Sequence, residues 1–299
     1  MTGARTPPAE VDIDGALVRR LLEDQHPDLA SRSLVEVGSG WDNAIYRLGD
    51  DLLVRLPRRA VSAVLVEHEQ RWLPRLAPRL PLPIPAPVRA GRPAAGYPWS
   101  WSVCPWFQGE ASATRPPEDR AAAAETIGTF LGALHAPAPD DAPINPYRGV
   151  PLLDRAAVTE ERIDQLTTVI DAEAARACWR RAVEVPPWTA TPVWLHGDLH
   201  PANVLVDNGA LAAVIDFGDI CAGDPASDLA VGWMMFDART RSILRAVRGG
   251  VDDDLWARAK GWALALALAY LANSADNPVM ASIGSRTVTE VLRDPDRAP

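Results

Sequence analysis

The sequence predicts an α+β fold in which a small β-rich N-terminal part precedes a larger helical part. Two patterns predict this order. Short runs of β-branched and aliphatic residues, separated by glycine-containing turns, occupy residues 34–56 and are typical of antiparallel strands. From about residue 116 onwards, apolar residues recur at helical spacing instead. With 299 residues, 47% of them hydrophobic, the chain is long enough for one large domain or for two lobes.

The first predicted elements are a helix within residues 11–30 and three strands. The strands cover residues 34–37, 44–48 and 52–56. Gly38-Ser39-Gly40 interrupts the chain between the first two strands. A glycine-rich turn of this kind exposes backbone N–H groups that bind phosphate oxygens, whereas a plain tight turn is the alternative interpretation.

Arg55, on the third strand, is the candidate cation for binding phosphate. The only lysine of the chain is Lys260, so an arginine must take this role; arginine stays charged and binds phosphate through two donors. An exposed strand arginine is the alternative. The helix predicted over residues 61–76 offers Glu67 or Glu69 as the ion-pair partner. Glu69 is preferred because apolar residues follow it at helical spacing, which places it beside the buried stripe.

The most informative segment is residues 194–218, WLHGDLHPANVLVDNGALAAVIDFG. It contains Asp198 and Asn203 five residues apart, and Asp216 at the start of an Asp-Phe-Gly. Two β-branched runs lie between Asn203 and Asp216, on either side of the turn formed by residues 207–209. This pattern predicts a hairpin. Since the open ends of a hairpin lie side by side, Asn203 and Asp216 are expected to come together.

This arrangement has the chemistry of a phosphoryl-transfer site. Two oxygen ligands at one point suit a hard cation such as Mg²⁺, which makes Asn203 and Asp216 the candidate metal ligands. A carboxylate one short loop away suits a base that orients a hydroxyl, the role expected of Asp198. An acidic loop beside an ordinary hairpin is the alternative, and the ordered spacing of three features disfavours it.

The segments on either side of this motif complete the predicted organisation. Residues 104–109 are expected to form a hinge between a nucleotide-covering lobe, residues 1–103, and a catalytic and acceptor-binding lobe, residues 110–299. A flat base can bond to the backbone of Cys104 and Trp106 in such a hinge, although Trp106 fits equally well as core between the lobes.

A proline-rich connector and a strand are expected before the hinge, and helices after it. The connector is predicted at residues 80–92 and the strand at residues 97–103. The helices are predicted at residues 117–136, 156–183 and 255–273.

Two residues around the motif have alternative roles. Asp228 follows Asp216 by twelve residues, which leaves no room for a long phosphorylatable activation segment and disfavours a protein substrate. Asp228 is expected either to accept hydrogen bonds from the backbone of the candidate catalytic loop, the loop around Asp198, or to cap the following helix. His135 is expected to be a core or capping residue.

Composition excludes several classes of protein. Residues 1–103 are close to charge balance, whereas the remainder carries a net charge of −10, which argues against nucleic acid as a partner. It permits a cationic ligand, although a solvated acidic face is the commoner explanation. Three widely spaced cysteines suggest neither a disulfide framework nor a zinc site. A polar N-terminus and the lack of a long apolar stretch predict a cytoplasmic protein without a membrane partner.

The motifs together resemble those of the aminoglycoside phosphotransferase family, including its macrolide phosphotransferase relatives. The resemblance is carried by HGDLHPANVL and VIDFGDICAGDPASDLA, and more loosely by VGSGWDN and LLVRLPRR. It implies a two-lobed protein-kinase-like fold over residues 34–280. A small β-rich lobe would cover the nucleotide, and a larger helical lobe would carry the chemistry and an acidic acceptor pocket.

The resemblance also implies a role for each site residue. Asp198 corresponds to the catalytic base, and Asn203 and Asp216 correspond to the Mg²⁺ ligands. Ser39 lies in the loop over the phosphates, and Glu69 pairs with the cation of the third strand.

Arg55 departs from the family pattern, because many members carry a lysine at this position. A similar arginine occurs in one branch of the family, so it is interpreted as a working substitution. Both ATP and GTP stay candidates for the co-substrate.

The expected reaction is Mg²⁺-dependent transfer of the nucleoside triphosphate γ-phosphoryl group to a hydroxyl of a small antibiotic-like molecule by a monomer or homodimer. One alternative is a kinase of a metabolite, such as an amino alcohol, a sugar or a natural-product intermediate. Another is a nucleotide-binding pseudokinase, which the intact motif disfavours. Composition fits both a polycationic aminoglycoside and a large apolar macrolide, because the C-terminal part is acidic and rich in tryptophan.

Overall fold

The computed structural model describes residues 7–294, with the side chain of Ser39 excepted. These residues form two compact units. The N-terminal unit comprises residues 7–108 together with Val214–Gly218, and the C-terminal unit comprises Gly109–Ala213 together with residues 219–294. Antiparallel strands dominate the first and helices the second, which confirms the predicted α+β fold.

The N-terminal unit is built on a five-stranded antiparallel sheet in the order β1-β2-β3-β5-β4. The strands are β1 (Leu34–Ser39), β2 (Asn43–Leu48), β3 (Leu52–Pro57), β4 (Arg89–Gly91) and β5 (Trp101–Pro105). The three predicted hairpin strands are therefore present.

Two boundaries in this sheet differ from the sequence prediction. β1 does not break at the glycines but continues through Ser39, because a register shift between Glu36 and Gly38 absorbs the irregularity. β5 begins at Trp101 rather than at Tyr97, since Ala94 and Tyr97 exchange backbone hydrogen bonds of 3.1 and 2.8 Å across a tight turn.

Two helices pack in the N-terminal unit, α1 (Gly15–Gln25) and α2 (Ala60–Leu76). Asp14 caps α1 by accepting a hydrogen bond of 2.7 Å from the Leu17 backbone N–H. The apolar face of α1 contributes to a core shared with the sheet residues Tyr46 and Leu48. α2 buries Glu69 on the same face as its apolar residues, so the position predicted from periodicity is buried.

The C-terminal unit consists of eight helices and two small sheets among the described residues. The helices are α3 (Arg120–Leu134), α4 (Ala156–Gln165), α5 (Ala172–Glu184), α6 (Ala226–Leu229), α7 (Val231–Met235), α8 (Ala238–Arg248), α9 (Asp253–Asn273) and α10 (Pro278–Arg293). The strands are β6 (Glu110–Ala111), β7 (Val193–Leu195), β8 (Val204–Asp207), β9 (Ala210–Val214) and β10 (Cys221–Gly223).

The small sheets carry the motif segments. β8 and β9 form the predicted hairpin, and β6 pairs with β8 on its other edge. β7 pairs with β10, so the strand that leads into the loop of Asp198 lies beside the strand that follows Asp-Phe-Gly. The loop and the strand after the motif are thereby held in a fixed register.

α9 is the central helix of the C-terminal unit. It is buried over most of its 21 residues and packs against α4, α5, α6 and α10. A helix that is apolar on all sides belongs in the interior of a large domain. None of the helices in residues 7–294 combines the length and apolar character that a membrane span needs.

The predicted helix over residues 156–183 is in fact two helices. Asp171 accepts a hydrogen bond of 3.0 Å from the Ala174 backbone N–H and starts a new helix, α5. The predicted lobe boundaries at residues 104–109 stay a prediction. The Val214–Gly218 segment groups with the N-terminal unit, whereas the sequence placed it within residues 110–299.

The contact between α3 and α8 gives a test of the packing. A Cβ on Gly128 would lie 2.9 Å from the Leu244 carbonyl oxygen and 3.1 Å from the Val247 Cβ. Gly128→Ala is therefore expected to destabilise the protein by about 1–3 kcal/mol through overpacking, measured by chemical denaturation. Gly132→Ala is the control in the same helix, because its Cβ would meet an ordinary contact of 3.5 Å. We expect it to stabilise the protein by about 0.5–1 kcal/mol. Equal effects of the two substitutions would contradict the packing.

Candidate active site

The loop that carries Asp198, which the sequence predicts to be the catalytic loop, begins where β7 ends and requires a glycine at its second position. Gly197 has φ +86°, and a Cβ there would collide with the Asp219 carbonyl oxygen. A glycine adopts this backbone conformation without steric cost. The loop therefore passes close to the chain that follows Asp-Phe-Gly and presents Asp198 at a defined position.

The buried carboxylate of Asp228 holds the backbone of this loop through hydrogen bonds. Asp228 Oδ2 accepts a hydrogen bond of 2.8 Å from the His196 backbone N–H, and Oδ1 accepts one of 2.9 Å from Gly197. Burial opposes the charge of Asp228, but the bonds from His135 and Gly197 lower its pKa below the usual value. Asp228 lies inside α6, so it orders the catalytic loop and is not the cap of that helix.

His135 is the third partner of Asp228. It lies at the C-terminal end of α3, and its Nε2 is 3.2 Å from Asp228 Oδ2. Burial lowers the pKa of His135 despite the neighbouring carboxylate, so the ring is neutral at pH 7. Arg248 Nη2 lies 3.1 Å from Nδ1, which makes Nδ1 the acceptor and Nε2–H the donor to Asp228.

Asp198 is an ionised carboxylate with three partners. Arg148 donates from Nη2 to Oδ1 at 3.0 Å, and Tyr270 donates from its hydroxyl to Oδ1 at 3.2 Å. His200 Nε2 lies 3.4 Å from Oδ2. Burial opposes the charge of Asp198, but Arg148 and then His200 outweigh it and hold its pKa well below the usual range. A quarter of the Asp198 side chain is exposed, so a hydroxyl can reach it.

The sequence did not single out Arg148 or Tyr270. They stand 50 positions before and 72 positions after Asp198, and no local spacing connects them to it. Burial and the charge of Asp198 raise the pKa of Tyr270, so its hydroxyl stays protonated and donates. Arg148 also lies 3.9 Å from Asp219, and Asn145 donates to that carboxylate at 2.6 Å.

Asn203 is oriented by the same loop. Its Nδ2 donates a hydrogen bond of 3.0 Å to the Asp198 carbonyl oxygen, so the amide group has a defined orientation. The residue ends a short 3₁₀ turn, Pro201–Asn203, and is buried. His200 supports the turn because its Nδ1 accepts from the Ala202 backbone N–H at 3.2 Å.

The N-terminal unit contains a second cluster of charges, centred on Arg55. Arg55 Nη1 lies 2.7 Å from Glu69 Oε1, and Nη2 lies 3.4 Å from Asp216 Oδ1. Burial opposes the charge of Arg55, but Glu69 and Asp216 raise its pKa above the usual value. Glu67 instead accepts a hydrogen bond of 3.1 Å from the Ser100 hydroxyl. Glu69 is therefore the partner that the strand cation uses.

Asp216 combines an unusual backbone with an accessible side chain. Its φ of +64° lies in the left-handed region, where non-glycine residues are uncommon and often functional. Its side chain is 57% exposed although one oxygen faces Arg55. The carboxylate therefore keeps coordination sites for a ligand. Its predicted pairing with Asn203, which belongs to the other unit, stays a prediction.

Three further candidates for nucleotide binding lie in the N-terminal unit. The backbone of Ser39 ends β1 opposite Ala44, and its side chain is not among those described. Cys104 is buried in β5, and burial raises the pKa of its thiol to about 12, so it stays protonated. The Trp106 backbone N–H is bonded to the Asp51 carbonyl oxygen at 2.8 Å, and its indole Nε1 is buried without an acceptor.

The oxygen donors of these loops fit Mg²⁺ better than a transition metal. No group of three or more His, Cys, Asp or Glu side chains in residues 7–294 is arranged to hold a metal ion. Mg²⁺ is commonly bound through one or two protein oxygens together with phosphates and water. Within its own unit, Asp216 keeps an exposed carboxylate and Asn203 an oriented amide. Each is an oxygen donor of the kind that Mg²⁺ takes, and their joint role stays a prediction.

Comparison with known proteins connects this geometry to solved structures. The chain is similar to the structure of APH(2'')-IIIa in complex with GDP and kanamycin, at 22% identity and a TM-score of 0.70 over 92% of this chain and 97% of that one. It is also similar to the streptomycin–ATP–APH(2'')-IIa ternary complex, at 19% identity and a TM-score of 0.60 over 95% and 97% of the two chains.

A macrolide enzyme has a similar structure. The apoenzyme of macrolide 2'-phosphotransferase MphH from Brachybacterium faecium is 18% identical, with a TM-score of 0.59 over 95% of this chain and 99% of that one. At these identities the similarity establishes the fold, which is the fold that the sequence motifs imply. Comparison with curated protein sequences finds no significant match.

The family is established independently of these structures. A model of the Phosphotransferase enzyme family, APH, matches residues 33–262. The match covers the glycine-rich turn, the strand of Arg55, the catalytic loop and Asp-Phe-Gly. The chain therefore belongs to the phosphotransferase enzyme family.

Proposed function

We propose that the protein transfers the γ-phosphoryl group of ATP or GTP to a hydroxyl of a small molecule, with Mg²⁺ as the cofactor. The observation that carries this proposal is the state of Asp198. It is an ionised, partly exposed carboxylate on a loop whose backbone is fixed by Asp228. Such a carboxylate suits the residue that accepts a hydrogen bond from an attacking hydroxyl and aims it at a phosphoryl group.

Positioning supplies most of the proposed catalysis. The transition state of phosphoryl transfer is loose, so orientation and neutralisation of charge matter more than the strength of the base. Asp198 aims the acceptor hydroxyl. Asp228 holds the loop backbone through two hydrogen bonds, and Tyr270 and Arg148 both donate to Oδ1 of Asp198.

The cofactor and the phosphates have their own candidate residues. Asn203 and Asp216 would hold Mg²⁺, which neutralises phosphate oxygens when it is bound. Arg55 supplies the fixed positive charge that the missing lysine would carry, and Glu69 holds it in place. Ser39 in the glycine-rich turn and the backbone near Cys104 and Trp106 are the proposed contacts for the phosphates and the base.

An antibiotic of the aminoglycoside or macrolide type is the first candidate acceptor. Two structurally similar proteins are named as complexes with kanamycin and streptomycin, together with GDP or ATP, and a third is named as a macrolide 2'-phosphotransferase. A coupled assay of ADP and GDP release across aminoglycosides, macrolides, peptide antibiotics and small amino alcohols tests this proposal. Nucleotide binding without release for any acceptor would favour a pseudokinase.

A kinase of a metabolite is the second candidate, and one observation favours it. Arg148 donates to Asp198 Oδ1 at 3.0 Å, so a guanidinium group lies within contact distance of the proposed base. A polycationic acceptor would be repelled by this guanidinium group, whereas a neutral or anionic metabolite would not.

Asp198→Ala is expected to lower turnover by about 10²–10⁴-fold, the usual contribution of a positioned base, while nucleotide binding is retained. ADP or GDP release and the nucleotide Kd measure the two effects separately. Asp207→Ala is a matched control, because Asp207 lies in the same segment but is exposed on the hairpin. Turnover near the wild-type value in Asp198→Ala would overturn the assignment.

Asp216→Ala is expected to abolish the dependence of nucleotide binding on Mg²⁺. The substitution removes the proposed carboxylate ligand, so the nucleotide Kd should no longer change when Mg²⁺ replaces EDTA. Calorimetric titration with ADP measures this directly. A Mg²⁺ effect of unchanged size would show that Asp216 does not hold the ion.

Arg55→Lys is expected to weaken nucleotide binding roughly tenfold, although the charge is kept. A lysine ammonium cannot bridge Glu69 and Asp216 in the fixed geometry of a guanidinium fork. Arg89→Lys is the control, since Arg89 is half-exposed on β4 of the same sheet. The nucleotide Kd of both variants is measured by the same titration, and an unchanged Kd in Arg55→Lys would argue against a phosphate-binding role.

Asp228→Asn is expected to reduce kcat by roughly 10–100-fold, corresponding to the cost of about 1–3 kcal/mol for a buried hydrogen bond lost to the catalytic loop. The asparagine NH₂ must face one of the two backbone N–H donors. The nucleotide Kd should stay unchanged, which separates a displaced loop from general unfolding. Asp237→Asn is the control because asparagine caps α8 as well as aspartate does.

A further inference from the structure

A cavity of about 310 Å³ lies within the C-terminal unit, lined by the segment that follows β6 and by helices α7 and α10. Its floor is buried and apolar, formed by Met234 and Met235 of α7, Ile283 of α10 and Pro201 of the loop around Asp198. Ligand pockets in proteins span roughly 300–1,000 Å³, and methionine side chains adapt to the shape of a ligand. This cavity, which we call the α7–α10 cavity, is therefore large enough for a small organic molecule.

Two arginines that line the cavity converge on one atom. Arg120 donates from Nη2 to the carbonyl oxygen of Met235, and Arg286 donates from its own Nη2 to the same oxygen at 3.0 Å. Arg120 begins α3 and Arg286 lies in α10, so two distant parts of the chain bring their guanidinium groups to one point beside the cavity. We call these two residues the arginine pair.

The end of helix α7 accounts for only one of these guanidinium groups. Met235 is the last residue of α7, and an arginine near a helix C-terminus commonly satisfies a terminal carbonyl group. One donor is enough for that purpose. Arg241 is an example, because it alone donates to the next carbonyl oxygen, that of Phe236, at 3.2 Å and does not line the cavity. A second guanidinium group on the Met235 oxygen exceeds what the helix end needs.

The arginine pair has donors to spare. Each guanidinium group carries five N–H donors, and among residues 7–294 neither side chain makes a hydrogen bond or ion pair other than the one to the α7 carbonyl oxygen. Two acidic side chains act on the pair from a longer distance, and both are engaged elsewhere. Asp237 caps α8 by accepting from the Thr240 backbone N–H at 2.9 Å, and Glu290 lies 3.6 Å from Arg241 Nη1.

We propose that the α7–α10 cavity binds the acceptor of the phosphotransfer through an anionic group, a carboxylate or a phosphate, held by Arg120 and Arg286. The proposal rests on the proposed function and narrows its acceptor to a molecule that combines an oxyanion with an apolar part. Arginine suits the oxyanion because its planar fork binds carboxylate and phosphate through two parallel hydrogen bonds. The floor suits the rest of the molecule, because burial of apolar surface favours binding.

The loop around Asp198 connects the cavity to the proposed base. Pro201, in the cavity floor, follows Asp198 by three residues, and three residues of fully extended chain span at most about 11 Å. Ala113, which also lines the cavity, donates from its backbone N–H to the Pro201 carbonyl oxygen at 3.0 Å, so floor and wall are held together. A molecule anchored at the arginine pair thus contacts the loop that positions the base. A polycationic acceptor would instead be repelled by two guanidinium groups.

Calorimetric titration of the full-length protein with simple probes tests the anion site. Benzoate and phenyl phosphate carry the two oxyanions on an apolar ring, and benzyl alcohol is the neutral probe of similar size. Protein saturated with Mg²⁺ and a non-hydrolysable ATP or GTP analogue is titrated with each probe. We expect at least one anion to bind at least roughly tenfold more tightly than benzyl alcohol, because charge-assisted hydrogen bonds are stronger than neutral ones. The tighter of the two anions identifies the preferred oxyanion.

Arg286→Gln removes one half of the arginine pair without disturbing the interior, because Arg286 is exposed. The Kd of the preferred anion should rise at least roughly tenfold. Arg293→Gln is the matched control, since Arg293 is an exposed arginine of the same helix that does not line the cavity. Its Kd should stay within about twofold of the wild-type value. Failure of both anions to bind, or an unchanged Kd in Arg286→Gln, would overturn the proposal.

Ser282→Trp tests the cavity itself. Ser282 lines the cavity and is exposed on α10, so a large side chain there fills the space while both arginines stay in place. The anion Kd should rise in this variant as it does in Arg286→Gln, whereas the Tm should change little. Anion binding of wild-type strength in Ser282→Trp would place the anion outside the cavity and contradict the proposal.

Competition connects the cavity to the acceptor. In the nucleotide-release screen, the preferred anion should raise the KM of the acceptor and leave the KM of the nucleotide unchanged. Hydroxylated carboxylates and phosphate esters should have lower KM values than neutral analogues with the same hydroxyls. Arg286→Gln should remove that difference while kcat changes little. An aminoglycoside turned over equally well by wild type and Arg286→Gln would argue against the anionic acceptor.

The two proposals fail in different ways. Intact Mg²⁺-dependent nucleotide binding without anion binding rejects the anionic acceptor and leaves the phosphotransfer. If the protein binds no nucleotide, the probes are titrated against the protein alone. Anion binding that depends on Arg286 would then keep the anion site and reject the phosphotransfer together with the acceptor role of the cavity.

Discussion

The buried carboxylate of Asp228 is the interaction on which the geometry of the C-terminal unit depends. An isolated charge in the interior would be strongly unfavourable, and here three donors from different parts of the chain compensate it. His135 comes from the end of α3, and His196 and Gly197 come from the catalytic loop. Removal of any of these donors would leave the buried charge with fewer hydrogen bonds. The shared carboxylate therefore holds α3 and the loop in one relative position, and this position orients Asp198.

The carboxylates of the two units differ in how many hydrogen bonds and ion pairs their oxygens make and in how exposed they are. Both oxygens of Asp228 are bonded and its side chain is fully buried. Glu69 is buried against Arg55 in a similar way. Asp198 and Asp216 instead keep 25% and 57% of their side chains exposed although each has an arginine beside it. This exposure leaves the oxygens of both residues accessible to a ligand, which fits the roles proposed for them.

Local patterns in the sequence predict those parts of the site whose residues lie close together along the chain. The hairpin turn and the order of Asp198, Asn203 and Asp216 can be recognised directly. Helical spacing favours Glu69 over Glu67, and the Arg55–Glu69 contact of 2.7 Å decides between them. The same patterns contain no signal for Arg148 or Tyr270, because their contacts with Asp198 span 50 and 72 residues. The break at Asp171 was missed because capping there outweighs the helical pattern on both sides.

Net charge does not decide the acceptor, for a related physical reason. Charges act over about 10 Å or less in salt, so the many acidic side chains on the surface of the C-terminal unit contribute little at Asp198. The groups that matter are those within contact distance, and these include Arg148. An acidic unit can thus place a positive group beside its proposed base, and the recognition of the acceptor depends on that local field rather than on the total charge.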